Sequence, residues 1–447
     1  MSFEEIRKIL AEEATSEGIT EYEIYFMETE SIGAETLKDE ISSFSSGVSG
    51  GVSFRCVRNG KMGYASTELF EERELRELVG RAAANALSIE SDDGAVIFRG
   101  SDKYLKPTSD TEKIPDAAKV KDIALKLQKK TYGQSELVTD GTQSYVTAFG
   151  VKMGISNSYG LELSNSAGVC GAYVEAVVSR GGESEEKSDY AFGSEESDFE
   201  GLPESAVSGA IAKLGAEELE SGRYDVIISG RQMKSMLSAF SPAFSAKNAQ
   251  LGLSLLAGKE GSDVASGCVT IVDDPMREGC PMQTPFDGEG VATVRKNVIE
   301  NGKLRTLLYD LSTAAKAGVA STGNGQRADY SDTVTIRPYN FYIVGGNISP
   351  DELRGCVKDG IYITELKGLH AGANAVTGDF SIESAGFRIK DGKLCGAVKS
   401  FTVAGNFFEL LKNIEKVSDK VEFDLPFGFT VFGSPDVLIR GMSIAGK

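Results

Sequence analysis

The chain predicts an α+β protein: an N-terminal α+β domain of antiparallel strands and helices over residues 1–220, then a β-rich, barrel-like C-terminal domain over 221–447. Three observations predict it. Amphipathic helices bracket alternating segments in the first half. An explicit hairpin joins two of those segments. From Arg223 onward strand-like segments dominate and helices become few.

The elements follow in order. Ser2 and Glu5 make a capping box for a helix over 3–16, with Phe3, Ile6, Ile9 and Leu10 as its apolar stripe. Residues 21–27 alternate, with Tyr22, Ile24 and Phe26 on one face, and read as a strand. A second strand is predicted in 32–44. Residues 50–67, GGVSFRCVRNGKMGYAST, form a hairpin in which Asn59-Gly60 supplies the left-handed turn. Leu75, Leu78, Val79, Ala82 and Ala86 mark a helix over 71–87. A loop over 97–114 leads to a helix over 115–130, on Val120, Ile123, Ala124 and Leu127. Strands cross 143–179 with a turn at 157–160. The acidic run 181–201 reads as a long hairpin connection or exposed loop, and a helix over 203–219 closes the half.

The second half opens on residues 229–261. Met233, Met236, Leu237, Phe240 and Phe244 make one helical face, bent or broken near Pro242. Strands are predicted over 269–273, 290–300, 333–336, 341–344, 361–365, 384–390, 393–403 and 437–443. Turns fall at Asn301-Gly302 and Asp391-Gly392, and short helices over 307–317 and 407–415. A largely antiparallel sheet or barrel accommodates that order.

Composition narrows the chemistry. Net charge is -19, from 47 basic and 66 acidic residues, which argues against direct nucleic-acid binding. No apolar run reaches the roughly 18 residues of a membrane span. The six scattered cysteines contain no Cys-x-x-Cys pair and read as buried free thiols in a reducing cytoplasm. His370 is the only histidine and sits in a Gly-flanked turn with no nucleophile elbow, against a hydrolytic triad. Gly323, Asn324 and Gly325 lack the ending of a phosphate loop. Cys268 and Cys280 bracket Asp273-Asp274, with Asp287 and Glu289 beyond. That set suits an oxygen-ligated cation, or else turn acids beside buried thiols.

Four segments resemble, in order, the TldD/PmbA family, also called modulator of DNA gyrase. They are the hairpin over 50–67, QTPFDGEGVATVRKNVIEN over 283–301, VTGDFSIESAGF over 376–387 and FTVAGN over 401–406. The resemblance runs nearly end to end. Its TldD-like branch carries a His-Glu-x-x-x-His helix and a later Cys that hold catalytic zinc. In this sequence the matching helix positions are Ser238, Ala239 and Ala243, and 424–447 contains no Cys. The chain therefore resembles the PmbA branch, or TldE. That branch implies a cytoplasmic protein with no zinc of its own, zinc being expected only in a TldD-like partner. The pair would cleave unfolded peptides, in peptide maturation and antitoxin degradation. A homodimer is implied when the chain is alone, with no direct nucleic acid or membrane contact. Thr284, Pro285, Phe286, Asp287, Glu289 and Gly290, with Thr377, Gly378 and Asp379, are the expected lining of a peptide channel. The alternatives are a stand-alone metal-dependent peptidase with a non-standard site, and a non-enzymatic homodimeric peptide-binding scaffold.

Overall fold

Period-two alternation builds the first half around one sheet with two buried faces. The computed structural model describes residues 1–90, 95–108, 114–193, 195–426 and 428–447. Strands β1 (Tyr22–Leu37), β2 (Glu40–Arg58), β3 (Lys61–Thr67), β4 (Gln143–Asn157), β5 (Glu162–Arg180) and β6 (Glu183–Phe192) pair antiparallel in the order β3-β2-β1-β4-β5-β6. Helices α1 (Phe3–Ser16), α2 (Glu72–Ser88), α3 (Ala117–Tyr132) and α4 (Leu202–Lys213) cover one face. Ile24, Phe54 and Ala65 meet α1 and α2, while Ile32, Ala34, Val146 and Cys170 meet α3 and α4. The capping box of α1 is present in full, and Asp116 caps α3.

The opposite face is buried too. Tyr25, Met27, Val151, Met153 and Ile155 pack on Cys280, Met282, Phe286, Tyr339 and Phe429 from the second half. The alternation over 21–27 thus hides both sets of side chains. Glu23, on the face expected to be solvated, is completely buried.

Three expectations need correction. The strands read over 21–27 and 32–44 are one strand, β1, and the chain reverses at Lys38, whose φ is 56°. Glu28, Thr29, Glu30 and Ser31 interrupt the apolar pattern, yet neighbours on both sides carry them in the ladder. Of the two readings of the acidic run over 181–201, the hairpin holds and the exposed loop does not. Gly181 and Gly182 turn at φ 63° and 87°, and β6 returns along β5 from Glu183 to Phe192. Charges on an edge strand block pairing with other chains, which gives that composition a structural use. Residue 194, and residues 109–113 of the loop read over 97–114, lie outside the described residues. The third correction concerns the thiols. Cys56, Cys170 and Cys280 are buried and free, but Cys268 and Cys395 are exposed and Cys356 lies between.

In the second half five strands close on themselves. Gly222–Ile228, Asp359–Lys367, Asp379–Lys390, Lys393–Asn406 and Val437–Ala445 form a ring, closed where Thr402 pairs with Ala445 and Val403 with Ile444. The pairing is antiparallel except between Gly222–Ile228 and Asp359–Lys367. A second sheet of short strands includes Ile271–Asp273, Lys296–Glu300 and Asn340–Ile343. The strand predicted over 290–300 keeps only its last five residues, because 290–295 run as irregular chain, buried at Gly290, Val291 and Thr293 and exposed at Val294 and Arg295.

Candidate functional site

Helix α5 (Gly230–Phe240) follows a barrel strand directly. Its first N–H, at Gly230, donates to Asp436 Oδ1 at 2.8 Å. Met233, Met236, Leu237 and Phe240 are buried, and Phe240 stacks on Phe407 with ring centroids 4.5 Å apart. Pro242 then tightens the helix into a 3-10 turn, Ser241–Phe244, before α6 (Ala246–Gln250) begins under the cap of Ser245. Beyond Gln250 the chain runs in turns, so the helical reading over 229–261 holds only for its first part.

The motif-matching positions face different ways. Ser238 is half-buried on a cavity wall. Ala239 packs against the core, and Ala243 lies wholly inside it. They offer one hydroxyl and two methyl groups. Lys234, one turn before Ser238, is 1% exposed and pairs with Asp424 at 2.5 Å beneath the Tyr190 ring.

Two cavities flank α6. One, of about 780 Å³, is hydroxyl-rich and cationic, walled by Ser238, Ser241, Ser245, Asn248, Arg337 and Asp424. The other, of about 850 Å³, has apolar walls of Met62, Val96, Leu251 and Val334, with Arg55, Glu289, Asp310 and Arg327 at its base. Lys247 lines both.

That charged base belongs to a buried network joining the two halves. Glu23 of β1 pairs with Arg55 of β2 at 2.7 Å and with Arg327 at 2.5 Å. Arg327 also donates to Ser53 Oγ and lies over the Tyr25 ring. Glu289 meets Arg55 at 3.5 Å and accepts from the Leu311 N–H. Asp287 accepts three backbone N–H bonds, from Glu289, Val291 and Gly325. Burial raises the Asp287 carboxyl well above the usual range, with the Glu289 charge adding to it, and burial raises Glu289 too.

Of the positions expected to line a channel, Glu289 reaches a large cavity. Thr284, Pro285, Phe286, Asp287 and Gly290 are buried in the joint, their polar groups engaged in holding it. Thr377, Gly378 and Asp379 form a turn tied by Asn374 and Asn406 side chains, with Gly378 at φ 77°. Lys247, Arg337, Lys234 and Tyr190 escaped the sequence reading, since nothing local marks them.

The carboxylates near Cys268 and Cys280 have protein partners. Asp273 takes Lys296, Asn324 Nδ2 and the Tyr339 N–H. Among the described residues no three His, Cys, Asp or Glu side chains converge as a metal-binding group. His370 is exposed on a four-residue helical turn, Leu369–Gly372. No helix among the described residues is long and apolar enough to cross a membrane.

The fold and this site define a class. Residues 221–446 match the family model described as PmbA/TldA metallopeptidase C-terminal domain, and 22–86 match that of PmbA/TldA metallopeptidase domain 1. The chain belongs to the TldD/PmbA family. A metalloprotease of Methanothermobacter thermautotrophicus is 29% identical, over 92% of each chain. The crystal structure of a putative modulator of a DNA gyrase from Thermotoga maritima is similar at a TM-score of 0.89 and 28% identity, over 99% of this chain and 100% of that one. TldE from Thermococcus kodakarensis shares the fold at a TM-score of 0.89 and 23% identity, over 99% and 100%.

Proposed function

We propose that this chain is the PmbA/TldE-like subunit of a TldD-type metallopeptidase, acting in proteolysis of unfolded peptides. The observation that carries the reading is the motif helix. It is retained and packed, but Ser238, Ala239 and Ala243 stand at the family's zinc and base positions. A zinc peptidase needs ligands for the metal and a base for its bound water. Serine and alanine supply neither set, so the TldD-like partner supplies both, and this chain carries no zinc.

The chain's own contribution is a place to hold peptide. The two cavities meet at Lys247 and together flank α6. Apolar walls beside Met62 and Leu251 suit unfolded side chains, and Lys247 and Arg337 suit a backbone carbonyl or terminal carboxylate. Glu289, which lines the first cavity, is the channel-lining residue this reading retains. Peptide maturation and antitoxin degradation in the cytoplasm are the processes this assignment implies.

The test is a pull-down from the native cell, followed by a peptide-cleavage assay on what is recovered. A co-purifying TldD-like chain and chelator-sensitive cleavage by the complex are expected. Cleavage by this chain alone would favour the stand-alone peptidase. Recovery of no partner would favour a scaffold.

A further inference from the structure

The cavity reached by Ser238 carries an unbalanced charge. Among the described residues Asp424 is the one carboxylate on its wall. That charge is already met from beneath. The buried Lys234 ammonium lies 2.5 Å from Asp424 Oδ1, and the Tyr190 hydroxyl donates to the same oxygen at 3.3 Å. Lys247 and Arg337 stand on the same wall without such a partner. Both are exposed, and among the described residues no carboxylate lies within ion-pair distance of either. Two uncompensated cations thus share one cavity in a chain carrying -19.

The neutral groups sharpen the chemistry. Ser241 donates to the Ser238 carbonyl at 2.9 Å, Asn248 to the Pro242 carbonyl at 2.8 Å and Thr430 to the Pro338 carbonyl at 2.8 Å, while Ser245 caps α6. Ser238 Oγ has no partner among the described residues. The groups left free are an ammonium, a guanidinium and a hydroxyl, and all of them donate. A guanidinium binds a carboxylate through two parallel N–H bonds, and a neighbouring ammonium adds a point charge. Leu308, Ile336, Leu425 and Phe432 give the same cavity apolar surface, and Lys247 joins it to the larger cavity. A small inorganic anion would leave that surface wet. A chain that ends in a carboxylate beside an apolar side chain covers it.

The geometry points to a carboxylate subsite: Arg337 and Lys247 hold the free C-terminus of a peptide over Ser238, with its last side chain against the apolar wall. This rests on the peptide-holding role proposed above, and it gives the bound chain an orientation.

A short unstructured peptide ending in phenylalanine, labelled with fluorescein at its N-terminus, tests it as the free acid and as the C-terminal amide. Each is titrated into the full chain without a partner and followed by anisotropy. The acid is expected to bind at least about tenfold more tightly. Arg337→Gln and Lys247→Gln should each bring that ratio towards one with an unchanged melting transition. Lys8→Gln, which removes an exposed charge on α1, should not change it. Both cavity cations are exposed, so folding should survive, and either variant suffices if the other fails. N-acetylphenylalanine should displace the acid at lower concentration than inorganic phosphate does. Equal binding of acid and amide, or a ratio indifferent to both variants, would overturn the subsite and leave the peptide-holding role standing. Phosphate competing as well as N-acetylphenylalanine would make it a general anion site and overturn the peptide assignment. Binding of neither peptide would overturn the subsite and the peptide-holding role together.

Discussion

Glu23 is the residue on which the two halves turn. A carboxylate with no exposure is tolerable only when paired, and Arg55 and Arg327 hold it from opposite halves of the sequence. Removing one partner leaves uncompensated charge inside the joint. Arg327→Ala is expected to cost about 3–5 kcal/mol, read as a lower urea midpoint. Asp287 and Glu289 add a pH dependence. Both hold protons more tightly folded than unfolded, because burial penalises their charge. Their contribution to stability is therefore greatest at acid pH and falls as pH rises through the folded-state pKa. Urea midpoints at about pH 5 and about pH 8 should show this fall. Asp287→Asn should flatten it.

At the scale of elements, α5 is held by packing and not by a reactive group. Phe240→Ala should cost about 3–5 kcal/mol, measured by denaturant unfolding, since it empties a stacked core position. Ala243 faces that same core. Ala243→His overpacks it, at about 1–3 kcal/mol. The triple variant Ser238→His, Ala239→Glu, Ala243→His should therefore lose stability and still show no zinc-dependent peptide cleavage, because 424–447 lacks a thiol.

Which elements could be read from sequence follows from what specifies them. The capping box of α1, the Asn59-Gly60 hairpin and the apolar face of α5 are local signals, and they match the structure closely. The length of β1 depends on two neighbouring strands, and the role of 181–201 depends on β5, so neither is written in its own residues. The QTPFDGEG segment was legible as family sequence but not as the joint. Its burial comes from a sheet over a hundred residues earlier in the chain. The cavity residues Lys247 and Arg337 carry no periodic or motif signal at all.

At the scale of the whole molecule, one sheet lies between four helices and a barrel-bearing half. The joint between them is both a hydrophobic core and an ion network. The cavities open beside it, along α6, where the retained motif helix ends. If unfolded peptide lies there, Lys247→Glu should weaken its binding by about tenfold or more, as loss of a charged hydrogen bond implies. Titration of a fluorescent peptide against the assembled complex measures it.

On the proposed function, this chain lends its fold and its cavities to a metallopeptidase whose metal another subunit holds. Metal analysis of the purified chain, paired with a peptide-cleavage assay before and after chelation, tests it most directly. No stoichiometric zinc and no cleavage by the chain alone are expected, with chelator-sensitive cleavage once a TldD-like subunit is added. One equivalent of zinc and chelator-sensitive cleavage without any partner would contradict it.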